Sequence, residues 1–433
     1  MDKDILQKIL ILFAALILFA CGGGSGGSSQ QGGPAASPPE LTGLKPAAND
    51  SSVMFGLPIT ATFDLNMNPG TPSTFVVYGS LTGKLDGVYT GGGSDTLSFA
   101  AASSFKAGEE IEVILTDLLT STDGQFLELP FVYRFRIESF GGNGDFTTLS
   151  TVFGQTNVRA LVAGDWNGDG DLDLAAANFG TSLVAILEND GSGNFTAVDT
   201  VSGQTNVLAL AAGDWDGDGD LDLAAANSGV SVVAILENDG SGNFTVADTV
   251  SGQTNVQALA AGDWDGDGDL DLAAANYGTS VVSILKNDGT GHFTAAETVL
   301  GQTDVRALVA GDWDGDGDLD LAAANNGASV VAILENGGSG HFTAADTISG
   351  QINVRALVVG DWDGDGDLDL AAADFGINVV AILENDGSGD FTAIDTVPGQ
   401  SGVQVLAAGD WDGDDDLDLA ANNGISNINL LEN

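Results

Sequence analysis

The residues best placed to do chemistry are aspartates. Along the second part of the chain they recur in a nine-residue loop, which in one copy reads Asp214-Trp215-Asp216-Gly217-Asp218-Gly219-Asp220-Leu221-Asp222. Carboxylates at loop positions 1, 3 and 5 point into one tight turn. The glycine at position 6 permits the bend, and position 7 can offer its backbone carbonyl. A hard cation such as calcium takes six to eight oxygens, and this donor arrangement suits it. The last carboxylate stands at position 9 and not at position 12, and no helices flank the loop, which excludes an EF-hand. Magnesium is disfavoured because it keeps its waters. Without a cation, carboxylates packed this closely repel one another.

The totals agree. There are 62 acidic residues against 11 basic, a net charge of −51, with 43% hydrophobic residues. The loops carry 30 of the 48 acidic residues beyond position 140, so the charge is clustered for ligation and is not spread as in a disordered acidic chain. Six calcium ions would neutralise twelve of these charges. Nucleic acid is excluded as a partner, since phosphate recognition needs clustered Lys and Arg. An enzyme is not expected. The only histidines, His292 and His341, share one repeat position in a Gly-His-Phe turn. No Ser-His-Asp set can be built, and the paired carboxylates that a glycosidase would need are claimed by the loops.

Stepping out from the loops, Gly-Asp-Trp recurs at Gly164, Gly213, Gly262, Gly311, Gly360 and Gly409, every 49 residues. One unit holds four apolar runs, in the second copy Val207 to Ala212, Leu221 to Ala226, Ser231 to Leu236 and Phe244 to Val250. Turns rich in Gly, Asp and Asn separate them. Four short antiparallel strands per unit is the pattern of a propeller blade. The last unit stops after its third strand, and Phe146 to Val152 at the front matches the missing fourth. The expected fold is therefore all-β, a six-bladed β-propeller over 141–433 closed by the 146–152 strand, which would hide the sheet edges.

The pattern Asp-x-Asp-x-Asp-Gly-x-x-Asp followed by Leu-Ala, with the later Asn189-Asp190-Gly191-Ser192-Gly193-Asn194-Phe195 turn, resembles the FG-GAP or VCBS repeat of integrin α-like propellers. The resemblance implies a structural calcium ion in each repeat, held by side chains at positions 1, 3, 5 and 9 and the carbonyl at 7. The implied ligands are Asp165, Asn167, Asp169, Asp171 and Asp173, then Asp214, Asp216, Asp218, Asp220 and Asp222, then Asp263, Asp265, Asp267, Asp269 and Asp271. They continue as Asp312, Asp314, Asp316, Asp318 and Asp320, as Asp361, Asp363, Asp365, Asp367 and Asp369, and as Asp410, Asp412, Asp414, Asp416 and Asp418. Asn167 keeps an oxygen but loses a charge. In the sixth copy Asp415 replaces the turn glycine, where a side chain at positive φ is costly.

The first part of the chain is organised differently. Residues 40–140 read as about seven short alternating strands, the size of an Ig-like sandwich. Thr62-Phe63-Asp64-Leu65-Asn66-Met67-Asn68-Pro69 and Lys106-Ala107-Gly108-Glu109-Glu110 resemble bacterial Ig-like surface domains, which implies a spacer. Residues 21–39 form a Gly-, Ser- and Pro-rich tether. Residues 1–20 end in an apolar run too short for a typical span and suited to a signal peptide. Leu18-Phe19-Ala20-Cys21 resembles the lipobox of bacterial lipoproteins, which implies lipidation at Cys21 and, with Gly22 following, an outer-membrane or cell-surface location. An ordinary secretory signal or an uncleaved anchor is the other reading.

The repeats differ from one another most at the end opposite the loops. One position there reads Phe179, Ser228, Tyr277, Asn326 and Phe375, and another Arg159, Leu208, Gln257, Arg306, Arg355 and Gln404. The three arginines are three of the array's four basic residues. Aromatic and Arg side chains on a polar rim suit recognition, which makes Arg159, Phe179, Tyr277, Arg306, Arg355 and Phe375 the candidate ligand face. Neutral drift of exposed positions would leave the same variation. The expected function is a monomeric, calcium-binding adhesion or interaction module at the cell surface that meets a protein. The alternative is a lectin-like glycan binder or an accessory protein in polysaccharide capture.

Overall fold

The computed structural model describes residues 37–50, 53–54, 56–138, 152–409, 417–422 and 428–431. Residues 1–20 with the expected signal peptide, Cys21, residues 146–151 of the expected closing strand and loop residues 410–416 of the sixth copy lie outside the described residues. Every described element is a strand, and no helix long and apolar enough to cross a membrane occurs among the described residues.

The N-terminal part pairs two antiparallel sheets. Strands β1 (Leu41–Lys45), β2 (Ile59–Phe63), β5 (Gly87–Thr90) and β6 (Thr96–Ala101) form one, in the order β1-β2-β6-β5. Strands β3 (Phe75–Gly79), β4 (Gly83–Lys84), β7 (Glu110–Leu115) and β8 (Phe131–Arg136) form the other, in the order β4-β3-β7-β8. Alternation decides which side faces inward: in β2, Ile59, Ala61 and Phe63 are buried while Thr60 and Thr62 are half-buried. Phe75, Tyr89 and Phe99 stack in the core at 5.2 to 6.2 Å between ring centres.

Each repeat is a four-stranded antiparallel meander. The first comprises β9 (Val158–Gly164), β10 (Asp173–Asn178), β11 (Leu183–Asn189) and β12 (Phe195–Ser202). The second comprises β13 (Val207–Gly213), β14 (Asp222–Asn227), β15 (Val232–Asn238) and β16 (Phe244–Ser251). Five such sheets are described, and the sixth shows three strands. Strand β14, Asp-Leu-Ala-Ala-Ala-Asn, is buried at every position, as a strand covered on both faces must be. Its alanines let neighbouring sheets come close, while the outermost strand β16 exposes most of its length.

Successive sheets are joined by the tryptophans. The Trp215 ring stands edge-on to Phe293 of the following repeat, 5.7 Å between centres, and the pattern holds for Trp166 with Phe244, Trp264 with Phe342 and Trp313 with Phe391. Gly213 must be glycine, because a Cβ there would lie 2.5 Å from the Trp215 ring. The Asn287 amide donates to the Trp215 carbonyl at 2.7 Å and to Leu270 at 3.1 Å, pinning one repeat's second turn to the previous repeat's acidic loop.

The Ig-like part does not stand away from the array as a spacer would. It seats on the acidic loops and meets four of them at the same atom, the carbonyl of loop position 6. Lys106 Nζ donates to Gly170 at 2.6 Å, Tyr78 Oη to Gly268 at 3.0 Å and the Val132 N–H to Gly317 at 2.6 Å. Gly83 packs over the Gly219 carbonyl, close enough that a Cβ would sit 3.2 Å from it. Val76, Tyr78, Ile114 and Val132 share one buried cluster with Trp215, Trp264 and Leu270. Sequence reading missed this seat because the contacts repeat along the array's 49-residue period and have no period in the Ig-like part.

A candidate metal centre in each repeat

The loop joining the first two strands of each repeat is shaped by its own backbone. Gly217 and Gly219 take φ of 76° and 99°, so both small positions, 4 and 6, lie in the region that favours glycine. The position-1 carboxylate then caps the turn: Asp214 Oδ1 accepts from Gly217 N at 2.8 Å and Oδ2 from Gly219 N at 3.0 Å. Positions 3 and 5 do the same two residues on, Asp216 accepting from Asp218 N at 3.1 Å and Asp218 from Asp220 N at 2.9 Å. Position 9 opens the second strand of the repeat. Asp222 accepts from Trp215 N at 3.1 Å and from Asn238 N at 2.8 Å, which ties the loop to the second turn. The position-7 side chain leaves the loop centre and lies against the glycine of that turn, as Asp171 does beside Gly191. This orientation fits a carbonyl donor at position 7.

One oxygen from each of Asp214, Asp216 and Asp218 lies within 4.8 Å of the others, and the same holds for Asp312, Asp314 and Asp316 and for Asp361, Asp363 and Asp365. Burial and neighbouring carboxylates push three of these groups up, Asp214 to about 6, Asp312 to about 7 and Asp316 to about 6, and the position-7 group Asp318 to about 7. Burial raises the position-9 groups Asp222 and Asp320 to about 8 against their backbone hydrogen bonds, and Asp369 to about 6. Converging oxygen donors whose charged forms are costly without a counter-ion suit a hard cation, which would stabilise those forms. The second and fourth loops fit calcium on this ground, and the fifth on the convergence of Asp361, Asp363 and Asp365.

These loops and the sheets that carry them match the FG-GAP-like repeat at residues 165–225, 214–274, 263–323, 312–372 and 361–421. The chain belongs to the FG-GAP-like repeat family. Residues 35–137 match a bacterial Ig-like domain. No curated protein matches the chain. Among solved structures it is similar to an Agrocybe aegerita lectin that recognises non-reducing terminal N-acetylglucosamine, at 19% identity and TM-score 0.43 over 76% of this chain and 93% of that one. It is also similar to a putative 6-phosphogluconolactonase from Bacteroides uniformis (14%, TM-score 0.49, 80% and 88%) and to an auxiliary nutrient binding protein from Bacteroides ovatus (12%, TM-score 0.41, 90% and 96%). At these scores none of the three assigns a function here.

Two FG-GAP-like loops depart from the pattern. In the first, Asn167 turns its amide to Asp169 at 3.2 Å, and Lys106 of the Ig-like part reaches Asp165 at 3.4 Å. One buried oxygen, Asp165 Oδ1, has no partner. In the third, Asp263, Asp265 and Asp271 converge, but the Lys286 ammonium binds Asp265 and stands 3.2 Å from Asp267. Lys286 is the array's fourth basic residue, and its functional place was not legible without the fold. The signal that could have found it was present: the other repeats carry Glu188, Glu237, Glu335 and Glu384 at that position. In the sixth copy only Asp418 of the proposed ligands is described, and it is buried.

At the opposite end the six candidate ligand-face residues come together as three pairs. The Arg159 guanidinium lies 5.4 Å from the centre of the Phe179 ring, Arg306 5.5 Å from Tyr277 and Arg355 4.8 Å from Phe375. Arg306 reaches back to the preceding repeat, whereas the other two stack within their own. Among the described residues none of the three arginines has a carboxylate within ion-pair distance. Desolvation and the nearby charge of Arg306 pull the Arg355 pKa down. His292 and His341 are exposed at the loop end, beside Asp248 and Glu297.

Proposed function

We propose that this chain is a calcium-binding interaction module of the bacterial cell surface, lipid-anchored through Cys21, with six blades closed by the 146–152 strand and no enzymatic activity. Its calcium ions are structural, and its ligand end is the one that carries the arginine–aromatic pairs. The observation that carries this reading is the seat of the Ig-like part on the acidic loops. It occupies one end of the array and leaves the turn end free. In the turns of that free end, Ser182, Ser231, Ser280 and Ser329 hold φ near 57°, a conformation such residues rarely adopt.

The stacking also narrows the ligand. Each aromatic ring is capped by a guanidinium, so an incoming group meets the planar edge of an arginine and not a bare ring. That edge pairs with carboxylate in a bidentate fork. A partner presenting carboxylates, on a protein surface or on an acidic saccharide, suits it better than a neutral sugar. The test is binding of residues 38–433, the compact unit, to arrays of acidic and neutral glycans and to acidic peptides. Binding confined to carboxylate-bearing probes and lost in Arg306→Ala and Arg355→Ala supports the reading. Binding to neutral glycans that survives both substitutions favours the lectin-like alternative.

A further inference from the structure

Three of the array's four cations stand at the turn end, and the fourth stands in an acidic loop. We propose that Lys286 is the resident cation of the third loop, so that this repeat closes without metal and gives the Ig-like part a seat that calcium withdrawal does not undo. The inference rests on the calcium reading of the second, fourth and fifth loops, and it states where that reading stops.

Three independent observations carry it. The Lys286 ammonium binds the position-3 carboxylate, Asp265, and lies 3.2 Å from the position-5 carboxylate, Asp267. It thus gathers the counterparts of two carboxylates that converge in the fourth and fifth loops. Second, the same strand position carries glutamate in the other four fully described repeats, as Glu188, Glu237, Glu335 and Glu384. There the residue carries a negative charge, and in the third repeat a positive one. A divalent ion entering the third loop would have to displace an ammonium from two carboxylates and then sit beside it.

Third, the loop so closed is the one most engaged by the Ig-like part. Arg134 donates to the Ala261 carbonyl at 2.9 Å and to Glu112 at 2.5 and 2.8 Å, while Glu112 Oε1 accepts from Asp263 N at 3.1 Å. Tyr78 binds the Gly268 carbonyl, and Pro130 covers Gly266 so closely that a Cβ there would collide with its ring. A loop held by a covalently tethered cation keeps these partners in place at any calcium concentration.

The experiment compares wild type with Lys286→Glu, which restores the residue of the other repeats, and Lys286→Met, which removes the charge alone. Bound calcium is counted by isothermal titration, and melting is followed in calcium and in chelator. Both variants are expected to bind one more calcium ion than wild type, to melt below it in chelator and to recover in calcium. Equal calcium counts across the three proteins that do bind calcium would overturn the proposal. If no protein binds calcium, the reading of the other loops fails by itself and the chelator melts decide: lowered melting in both variants upholds the internal cation, and unchanged melting overturns it.

Discussion

The two ends of the repeat array use the same scaffold for opposite purposes. At the loop end, five described repeats present nearly the same residues, and the two loops that differ each admit a lysine: Lys106 reaches the loop where Asn167 stands, and Lys286 enters the third. At the turn end the backbone repeats while the side chains vary, and where arginine and aromatic residues occur together they stack. One end is held to a single chemistry by the cost of gathering carboxylates. The other is free of that cost. The Ig-like part covers the constrained end, so the end that can vary is the end left open.

The largest expected effect comes from removing calcium. A site filled at a hundred times its dissociation constant contributes about 2.7 kcal/mol, and several sites act together. Chelation is expected to lower the melting temperature steeply and to raise amide exchange in the loops before the turns. Identical melting with and without chelator would break the distinction between the ends.

The second effect is on pH. Burial pushes four loop carboxylates of the metal-free fold above the ordinary value of 3.8, Asp214 to about 6, Asp312 to about 7, and Asp222 and Asp320 to about 8. Between about pH 4 and pH 8 the folded chain therefore binds more protons than the unfolded chain, and its stability falls as pH rises. In chelator the protein is expected to melt higher at pH 5 than at pH 8. Excess calcium is expected to flatten or reverse that order, because binding needs the carboxylates deprotonated. Chelator melts that rise with pH would contradict the burial of these groups.

Next come the joints between sheets. Trp313→Ala empties the contact with Phe391 and Gly311 and is expected to cost about 3–5 kcal/mol in denaturant unfolding. Phe375→Ala, on the half-buried turn end, is expected to cost far less, and comparable losses would show that the turn end is also core. The smallest effect is at the seat. Tyr78→Phe removes the bond to Gly268 and leaves a buried carbonyl short of a partner, expected to cost about 1 kcal/mol. It should raise exchange in the Ig-like part without changing binding at the turn end. A loss of that binding would mean the ends are coupled.

Much of this was legible in the residues. The 49-residue period, the four strands per unit and the converging carboxylates at positions 1, 3 and 5 follow from local pattern, because alternation, glycine at positive φ and charge spacing act within a few residues. Strand limits came within a residue or two: Val207 to Ala212 is observed as Val207–Gly213 and Leu221 to Ala226 as Asp222–Asn227. Trp166, Trp215, Trp264 and Trp313 stand at loop position 2 by sequence, and the fold packs each on a phenylalanine of the following repeat. The position-9 aspartates were expected as ligands alone, yet Asp222 spends both oxygens on backbone N–H groups 7 and 16 residues away. Sequence spacing shows a carboxylate, and only the fold shows what it meets.

The sequence by itself determined the repeat, its all-β architecture and its acidic loops, since each is specified by residues near one another in the chain. The tertiary structure decided what no local pattern holds. It set the Ig-like part on the loop end, through partners as far apart as Tyr78 and Gly268. It brought Lys286 to Asp265, and it laid Arg306 over an aromatic ring of the preceding repeat. These contacts depend on how whole sheets are stacked, and stacking is the sum of many small burial terms spread over the chain, which no single stretch of it records.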